Sequence, residues 1–112
     1  MKPEILLKIL EKGVLAPSAD NLQPWLFRLR EGGVDLWIDL PRADSFAGTG
    51  LLMPYVESGA VIENVRVAAA EAGYNLKVNY LPEPSKKDFV ASLFFEEGAK
   101  EQLAQDNIFY NL

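Results

Sequence analysis

The sequence predicts an α+β fold, in which two helices pack on a mainly antiparallel sheet. Two runs of alternating apolar residues flank a Gly-Gly pair, a pattern typical of a β-hairpin. A long apolar segment with helical spacing follows, and two further runs rich in strand-forming residues come after it. With 112 residues, 49% of them hydrophobic, the chain has the size of a single domain with a modest core.

The first predicted helix covers residues 3–14. Pro3 suits its first position, where the missing backbone N–H would have no partner in any case. Apolar residues recur at helical spacing through the segment, with lysines and glutamates on the other face. Gly13, with Pro17 just beyond it, is expected to end the helix.

Four strands are predicted at residues 25–31, 34–40, 75–81 and 88–95. The first two alternate around the glycine turn, so we expect them to pair as a hairpin. The last two are rich in aromatic and β-branched residues and are separated by the turn-forming sequence PEPSKK.

A long central helix is predicted at residues 55–72, with Gly73 just past its end. The helix carries few charges, so much of its circumference should be buried, either in its own domain or against another subunit. Its small residues would allow a second backbone to approach closely. The preceding segment, 41–54, contains several glycines and prolines and is expected to be irregular.

The C-terminal segment begins as a polar, helix-like pattern and ends on an apolar run: Ile108, Phe109, Tyr110 and Leu112. Chain termini are normally polar unless they are docked. Either this segment packs onto something, or the natural chain continues beyond residue 112. We therefore expect residues 1–112 to form a single domain that is truncated or incomplete at its C-terminus.

Composition excludes several kinds of function. The chain has no histidine and no cysteine, so it lacks the usual general base, the usual zinc ligand and a thiolate nucleophile. The net charge of −5 and the lack of a basic stripe argue against nucleic acid as a partner. No uninterrupted apolar stretch reaches the length of a membrane span, and the N-terminus does not resemble a signal peptide. We therefore expect a cytoplasmic protein. Chemistry carried by a bound cofactor remains possible.

The stretch APSADNLQPW, residues 16–25, is polar but carries little charge. It can be interpreted as an ordinary connector of turn-forming residues that leads into Trp25 in the core. It can also be interpreted as one wall of a pocket. The side-chain amides of Asn21 and Gln23 both donate and accept, so they suit the edge of a flat heterocycle such as a flavin. A charged side chain there would be desolvated without a matching charge.

Two segments resemble the nitroreductase and flavin reductase family. APSADNLQPWLFRL is similar to the family segment APSxxNxQPWxF, and SGAVIENVRVAAAEAGY is similar to the central-helix pattern GAxxENxxLAAxxxGL. The matching residues are Ala16, Pro17, Ser18, Asn21, Gln23, Pro24, Trp25 and Phe27, then Gly59, Ala60, Glu63, Asn64, Ala68, Ala69 and Gly73. The segments occur in the family's order and flank a hairpin that resembles its vdLyiDl sequence. The resemblance covers about residues 4–95 and looks closest to the N-terminal portion of the longer, two-lobed subgroup, in which one chain contains a nitroreductase-like dimer.

The resemblance implies a partial nitroreductase-like fold and a site for flavin mononucleotide (FMN) at a two-fold dimer interface. In such proteins FMN passes electrons from NAD(P)H to nitro compounds, quinones or flavins, and no side chain need act as an acid or base. The implied flavin contacts are Pro17, Ser18, Ala19, Asn21 and Gln23, and Asp20 is expected to face the small-molecule acceptor. We interpret Asn64 as holding neighbouring backbone and Glu63 as pairing at an interface.

One departure from the family concerns the cofactor's phosphate. The family's N-terminal arginines are missing, since no arginine precedes Arg28. A phosphate without charge-assisted partners is held poorly, so we expect the isolated chain to bind FMN weakly or not at all. A homodimer partner or a missing C-terminal half would complete the site of a flavin-dependent oxidoreductase. Two alternatives remain: a non-catalytic nitroreductase-like module for dimerisation or flavin sequestration, and an ordinary α+β domain that only looks like the family.

Overall fold

The computed structural model describes residues 1–15, 23–43 and 52–98. The elements in chain order are α1 (Pro3–Gly13), β1 (Trp25–Arg30), β2 (Gly33–Ile38), α2 (Leu40–Ala43), α3 (Leu52–Glu71), β3 (Tyr74–Tyr80) and β4 (Phe89–Glu97). The predicted α+β class is confirmed, and the bounds of the predicted helices and strands differ from the observed ones by at most three residues. The predicted helix-like segment after β4 lies outside the described residues.

Two predicted boundaries are wrong. Leu40 does not end a strand but begins the short helix α2. The segment before the central helix is not irregular throughout, because α3 begins at Leu52 and includes Pro54. Proline is tolerated there because the N–H groups of the first helical turn have no partner within the helix.

The four strands form one antiparallel sheet in the order β1-β2-β4-β3. The hairpin between β1 and β2 turns at Glu31 and Gly32, and Gly32 has the positive φ of 77° that favours glycine. Gly33 already belongs to β2. A Cβ on Gly33 would lie 2.0 Å from the carbonyl oxygen of Leu93 in β4, so glycine is required there by close packing and not by the turn.

Both long helices contact the core on one face of the sheet. The buried core contains Val34, Leu36 and Ile38 of β2, Leu93 of β4, and Val61, Val65 and Ala69 of α3. The N-terminal helix adds Ile9 and Leu10. Helix α1 therefore packs mainly against α3, and the end of α1 leads into the stretch singled out by the sequence.

The opposite face of the sheet carries a polar network across three strands. The Arg30 guanidinium donates from Nη1 to Asp35 Oδ1 at 3.0 Å and to Ser92 Oγ at 3.2 Å, and Ser92 Oγ donates to Asp35 Oδ1 at 2.8 Å. Beside this network the rings of Trp37 and Phe89 stack, with centroids 4.3 Å apart. These contacts join β1, β2 and β4 in one register.

Candidate functional site

The predicted contact segment, residues 16–22, lies between the end of α1 and the start of β1. Gln23 is described, and both flanks of the segment are described. The predicted site residues that lie outside the described part are Pro17, Ser18, Ala19, Asp20 and Asn21. Their assignment stays a prediction, so the site is built here from the residues that anchor the segment.

The upstream anchor is the contact between α1 and α3 at Gly13. A Cβ on this residue would lie 2.5 Å from Cγ2 of Val65, so only glycine lets the two helices come this close. The side-chain amide of Asn64 donates to the Gly13 carbonyl at 3.5 Å, a long bond that ties the end of α1 to α3. The interpretation of Asn64 as a residue that holds neighbouring backbone is confirmed. Gly13 has no positive φ, so its role is close packing and not a left-handed helix cap.

The downstream anchor is the start of β1. The carbonyl of Pro24 accepts a hydrogen bond from the backbone N–H of Asp39 at 2.7 Å, and Trp25 pairs in register with Ile38. Gln23, just before this anchor, is half-buried and has a φ of 54°. A residue with a side chain is uncommon in this region, where the conformation costs about 1–2 kcal/mol per residue. Such outliers cluster at binding and active sites, and this one falls on a predicted flavin contact.

Trp25 supplies a buried donor beside the segment. Its side chain is only 7% exposed, which confirms the prediction that it lies in the core. Its indole Nε1–H is nevertheless buried without a hydrogen-bond partner among the described residues. Leaving such a donor unpaired costs about 1–3 kcal/mol, so this is an energetically unusual feature of the start of β1.

Two arginines of the described residues are engaged far from the contact segment in contacts of their own. Arg30 bonds Asp35 on the opposite face of the sheet. Arg66 lies 3.5 Å from Glu63 and donates to the carbonyl of Leu76. Both guanidinium groups therefore already have charged or polar partners among the described residues.

Helix α3 has an exposed apolar stripe along its length. The residues of the stripe recur at three- and four-residue spacing, which places them on one side of the helix: Leu52, Val56, Gly59, Ala60 and Val67. Val56 is 60% exposed and Leu52 is 64% exposed. Glu63 lies on the same side, with Oε2 near Arg66 and Oε1 buried without a hydrogen-bond partner. Its pairing is thus within α3, and pairing across an interface stays a prediction.

At the far end of the sheet, a small apolar cavity of about 180 Å³ lies between α3 and β4. Tyr55 lines it, and its hydroxyl donates to the carbonyl of Lys87. Burial, reinforced by the negative charge of Asp88, raises the pKa of the Tyr55 phenol above its usual value. A phenol that stays neutral suits a structural role here.

The described residues bring together no group of three or more acidic, histidine or cysteine side chains that could hold a metal ion. Among the described helices, none is long and apolar enough to cross a membrane.

The architecture of the described residues is an antiparallel sheet covered by a long central helix, and comparisons with known proteins show which class of protein shares it. No protein-family model matches the chain. A Mycobacterium tuberculosis protein named as an NAD(P)H nitroreductase is 30% identical over 95 residues, which are 82% of this chain and 28% of that protein. The chain thus spans less than a third of the length of this curated relative.

Solved structures show the same fold at lower identity. A nitroreductase in complex with FMN from Desulfovibrio desulfuricans matches with a TM-score of 0.71 and 18% identity, covering 88% of this chain and 76% of that one. A second nitroreductase in complex with FMN, from Exiguobacterium sibiricum, matches with a TM-score of 0.64 and 19% identity. This match covers 88% of this chain and 79% of that one. The chain has the nitroreductase fold, and its resemblance to the nitroreductase and flavin reductase family is confirmed.

Sequence reasoning found the contact segment but missed what holds it. It interpreted Gly13 as the end of the helix, and α1 does end there. It did not show that Gly13 also permits close packing against α3, because these two roles of glycine look alike in a sequence. It also gave no sign that Gln23 has a positive φ or that the Trp25 indole lacks a partner. Both features depend on how β1 meets β2, which involves residues distant along the chain.

Proposed function

We propose that this chain supplies one wall of the flavin site of an FMN-dependent NAD(P)H oxidoreductase. The observation that carries the proposal is that the residues flanking segment 16–22 are held in place on both sides. Gly13 fixes one end against α3, and Pro24 fixes the other against β2. A short segment with both ends fixed in a core loses little further freedom when it binds a ligand, which is the advantage of preorganisation.

Each residue of the segment has a role set by its chemistry. Ser18, Asn21 and Gln23 form hydrogen bonds with the polar edge of the ring, and Pro17 and Ala19 offer backbone and apolar surface. Asp20 faces the acceptor, for which nitro compounds, quinones and flavins are the candidate classes. FMN, when bound, supplies the hydride chemistry, and this chain's residues bind the ring, orient it and exclude water.

A second copy of the chain, or a further segment of a longer protein, closes the site. The exposed stripe on α3 supports this part of the proposal, because it presents apolar and small residues where another backbone can approach. The lack of cysteine fits a reducing compartment such as the cytoplasm.

Flavin titration of the purified chain tests the proposal. Of the two outcomes expected from the sequence, weak binding or none, the proposal requires weak binding, because held flanks on both sides of the segment keep it in place for the ring. We therefore expect weak, saturable binding of FMN, and equally strong binding of riboflavin, because the contacts are made to the ring and not to the phosphate. Asn21→Ala should weaken the binding of both by about tenfold, the cost of one hydrogen bond to a desolvated group. Asn79→Ala is the matched control, since Asn79 is exposed on β3 away from the segment.

The readout is quenching of flavin fluorescence, and two results would contradict the proposal. One is no saturable binding by the wild-type chain, and the other is equal affinity for the two asparagine variants. Oxidation of NADH or NADPH by the flavin-loaded protein, with a quinone acceptor, then separates an oxidoreductase from a module that only sequesters flavin. Binding without turnover would favour the module.

A further inference from the structure

A groove of about 400 Å³ lies between the N-terminal half of α1 and the turn end of the sheet. It is separate from the contact segment, which follows the opposite end of α1. Most of its lining is apolar: Pro3, Leu6, Leu7, Leu10, Leu29 and Phe95. Its volume lies within the range of about 300–1,000 Å³ that is usual for ligand pockets.

The rim of this groove exposes large apolar side chains to solvent. Leu29 is 67% exposed, Leu7 is 59% exposed and Met1 is 46% exposed, whereas Leu10 at the base is only 7% exposed. Single exposed leucines are common, but several around one groove mark a surface that binds something apolar. Arg30, which also lines the groove, already bonds Asp35. The groove therefore suits apolar side chains better than an anion.

The chain itself contains an apolar segment that leaves the sheet beside this groove. Phe95 lines the groove near the end of β4, and the sequence continues only four residues later into segment 99–112. That segment contains Leu103, Ile108, Phe109, Tyr110 and Leu112. At up to about 3.3 Å per residue, it has ample length to return to the groove.

The position of segment 99–112 in the chain favours this groove, and not the cavity beside Tyr55 and Leu81, as its binding site. That cavity has a volume of about 180 Å³ and is lined by Val90 at the opposite end of β4. Phe95 and Val90 are five residues apart on β4, which corresponds to about 17 Å at the usual rise per residue. Closing a shorter loop costs less conformational entropy, so the nearer and larger groove is preferred.

We propose that residues 103–112 fold back within the same chain and dock in this groove, with Phe109 covering Leu7 and Leu29. The apolar residues of this segment then have a binding surface within their own domain. The docked segment would cover the start of α1 and the hairpin turn, and it would leave the stripe on α3 available to a second copy.

Disulfide trapping in the full chain tests this proposal directly. The protein has no cysteine, so an introduced pair forms the only possible disulfide. In the variant Leu7→Cys with Phe109→Cys, we expect an intramolecular disulfide, because a bridge needs Cα atoms within about 7 Å. The matched control is Leu81→Cys with Phe109→Cys, since Leu81 is 44% exposed and lies at the opposite end of β4.

The rate of disulfide formation is measured by mass spectrometry under mild oxidation. Docking predicts that the Leu7 pair closes at least about tenfold faster than the Leu81 pair, because docking raises the effective concentration of the thiols. Equal rates, or no bridge in either pair, would overturn the proposal. Mixing isotope-labelled and unlabelled protein identifies bridges between chains, and a bridge that forms only between chains would assign the groove to a second copy instead.

Amide exchange gives a second measurement that does not depend on cysteine. Deletion of residues 99–112 should speed hydrogen exchange in the first turns of α1 and at the hairpin turn, with little change at the contact between α1 and α3 near Gly13. Unchanged exchange at both ends of α1 would contradict docking. The double-cysteine result in the full chain decides the matter if the shortened chain fails to fold.

Discussion

Replacing Gly13 with alanine tests the helix contact on which the anchored segment depends. The new Cβ would lie 2.5 Å from Val65 Cγ2 and 3.5 Å from the carbonyl oxygen of Val61. Val65 is fully buried and β-branched, so its side chain has one strongly preferred rotamer in a helix and little room to move. The helices must therefore separate locally, or the valine must adopt a strained rotamer.

The size of the effect follows from two opposing contributions. Overpacking a buried contact costs about 1–3 kcal/mol. Alanine in place of glycine favours a helix by up to about 1 kcal/mol, and by less at a helix end. We therefore expect Gly13→Ala to lower the free energy of unfolding by about 1–2 kcal/mol. For a domain near this size, each kcal/mol corresponds to a fall in Tm of about 4–8 °C.

Urea unfolding of a double-mutant cycle provides the assay. Val65→Ala alone removes two methyl groups, at about 0.8 kcal/mol each, and leaves a cavity. In the double variant the alanine at position 13 occupies part of that cavity, so the two changes should together cost at least about 1 kcal/mol less than their sum. Gly59→Ala is the control, because a Cβ there meets nothing within 4 Å, and in the monomeric chain it should stabilise α3.

Two results would refute this reasoning. The first is that Gly13→Ala proves as stabilising as Gly59→Ala, which would mean that α1 and α3 are not in close contact. Alternatively, the effects of the changes at positions 13 and 65 could be additive, which would mean that the two residues do not touch. A confirmed clash has a functional consequence as well, since displacing the end of α1 moves the start of the contact segment and should weaken flavin binding.

Two further predictions concern the rest of α3. Val56→Lys places a charge in the exposed stripe and should weaken self-association, measured by sedimentation velocity, by at least about tenfold. The control Leu26→Lys adds the same charge to a half-exposed strand residue and should leave self-association unchanged. Equal behaviour of the two variants would exclude the stripe as an interface. Tyr55 has a raised pKa in the folded chain, so its contribution to stability is complete below about pH 10 and is lost as the pH rises through the folded-state value. Tyr55→Phe should therefore remove part of the alkaline loss in the urea midpoint, while Tyr80→Phe, on an exposed residue, should keep the wild-type profile.

The local elements were predictable because their signals are local. The alternation of apolar and polar residues around the glycine pair predicts the hairpin. The helical spacing of apolar residues predicts α1 and α3. Sequence alone could not assign the two glycines, since Gly32 has the positive φ and Gly33 makes room for the Leu93 carbonyl. It also gave no strand order, because β4 inserts between β2 and β3 through contacts distant along the chain.

The candidate site was predictable in the same limited sense. Residues 16–25 match one motif of the nitroreductase and flavin reductase family, and the long helix matches a second. The two motifs occur in the same order as in the family. The geometry that makes the segment useful came only from packing. The Gly13 contact with Val65 and the hydrogen bond from Asp39 to Pro24 both join residues from different elements. Neither contact can be predicted from the periodicity or spacing of residues in the sequence.

The polar network on the far face of the sheet has a consequence for the site. Asp35 is only 8% exposed, and it accepts hydrogen bonds from both Arg30 and Ser92. A slip of β1 by one residue would turn Arg30 toward the core and break this network, because side chains alternate between the two faces of a sheet. The same slip would move Trp25 out of the core and shift Gln23 along with it. The register that the network fixes is therefore also the register that positions the start of β1, so residues remote from the contact segment determine where its downstream end lies.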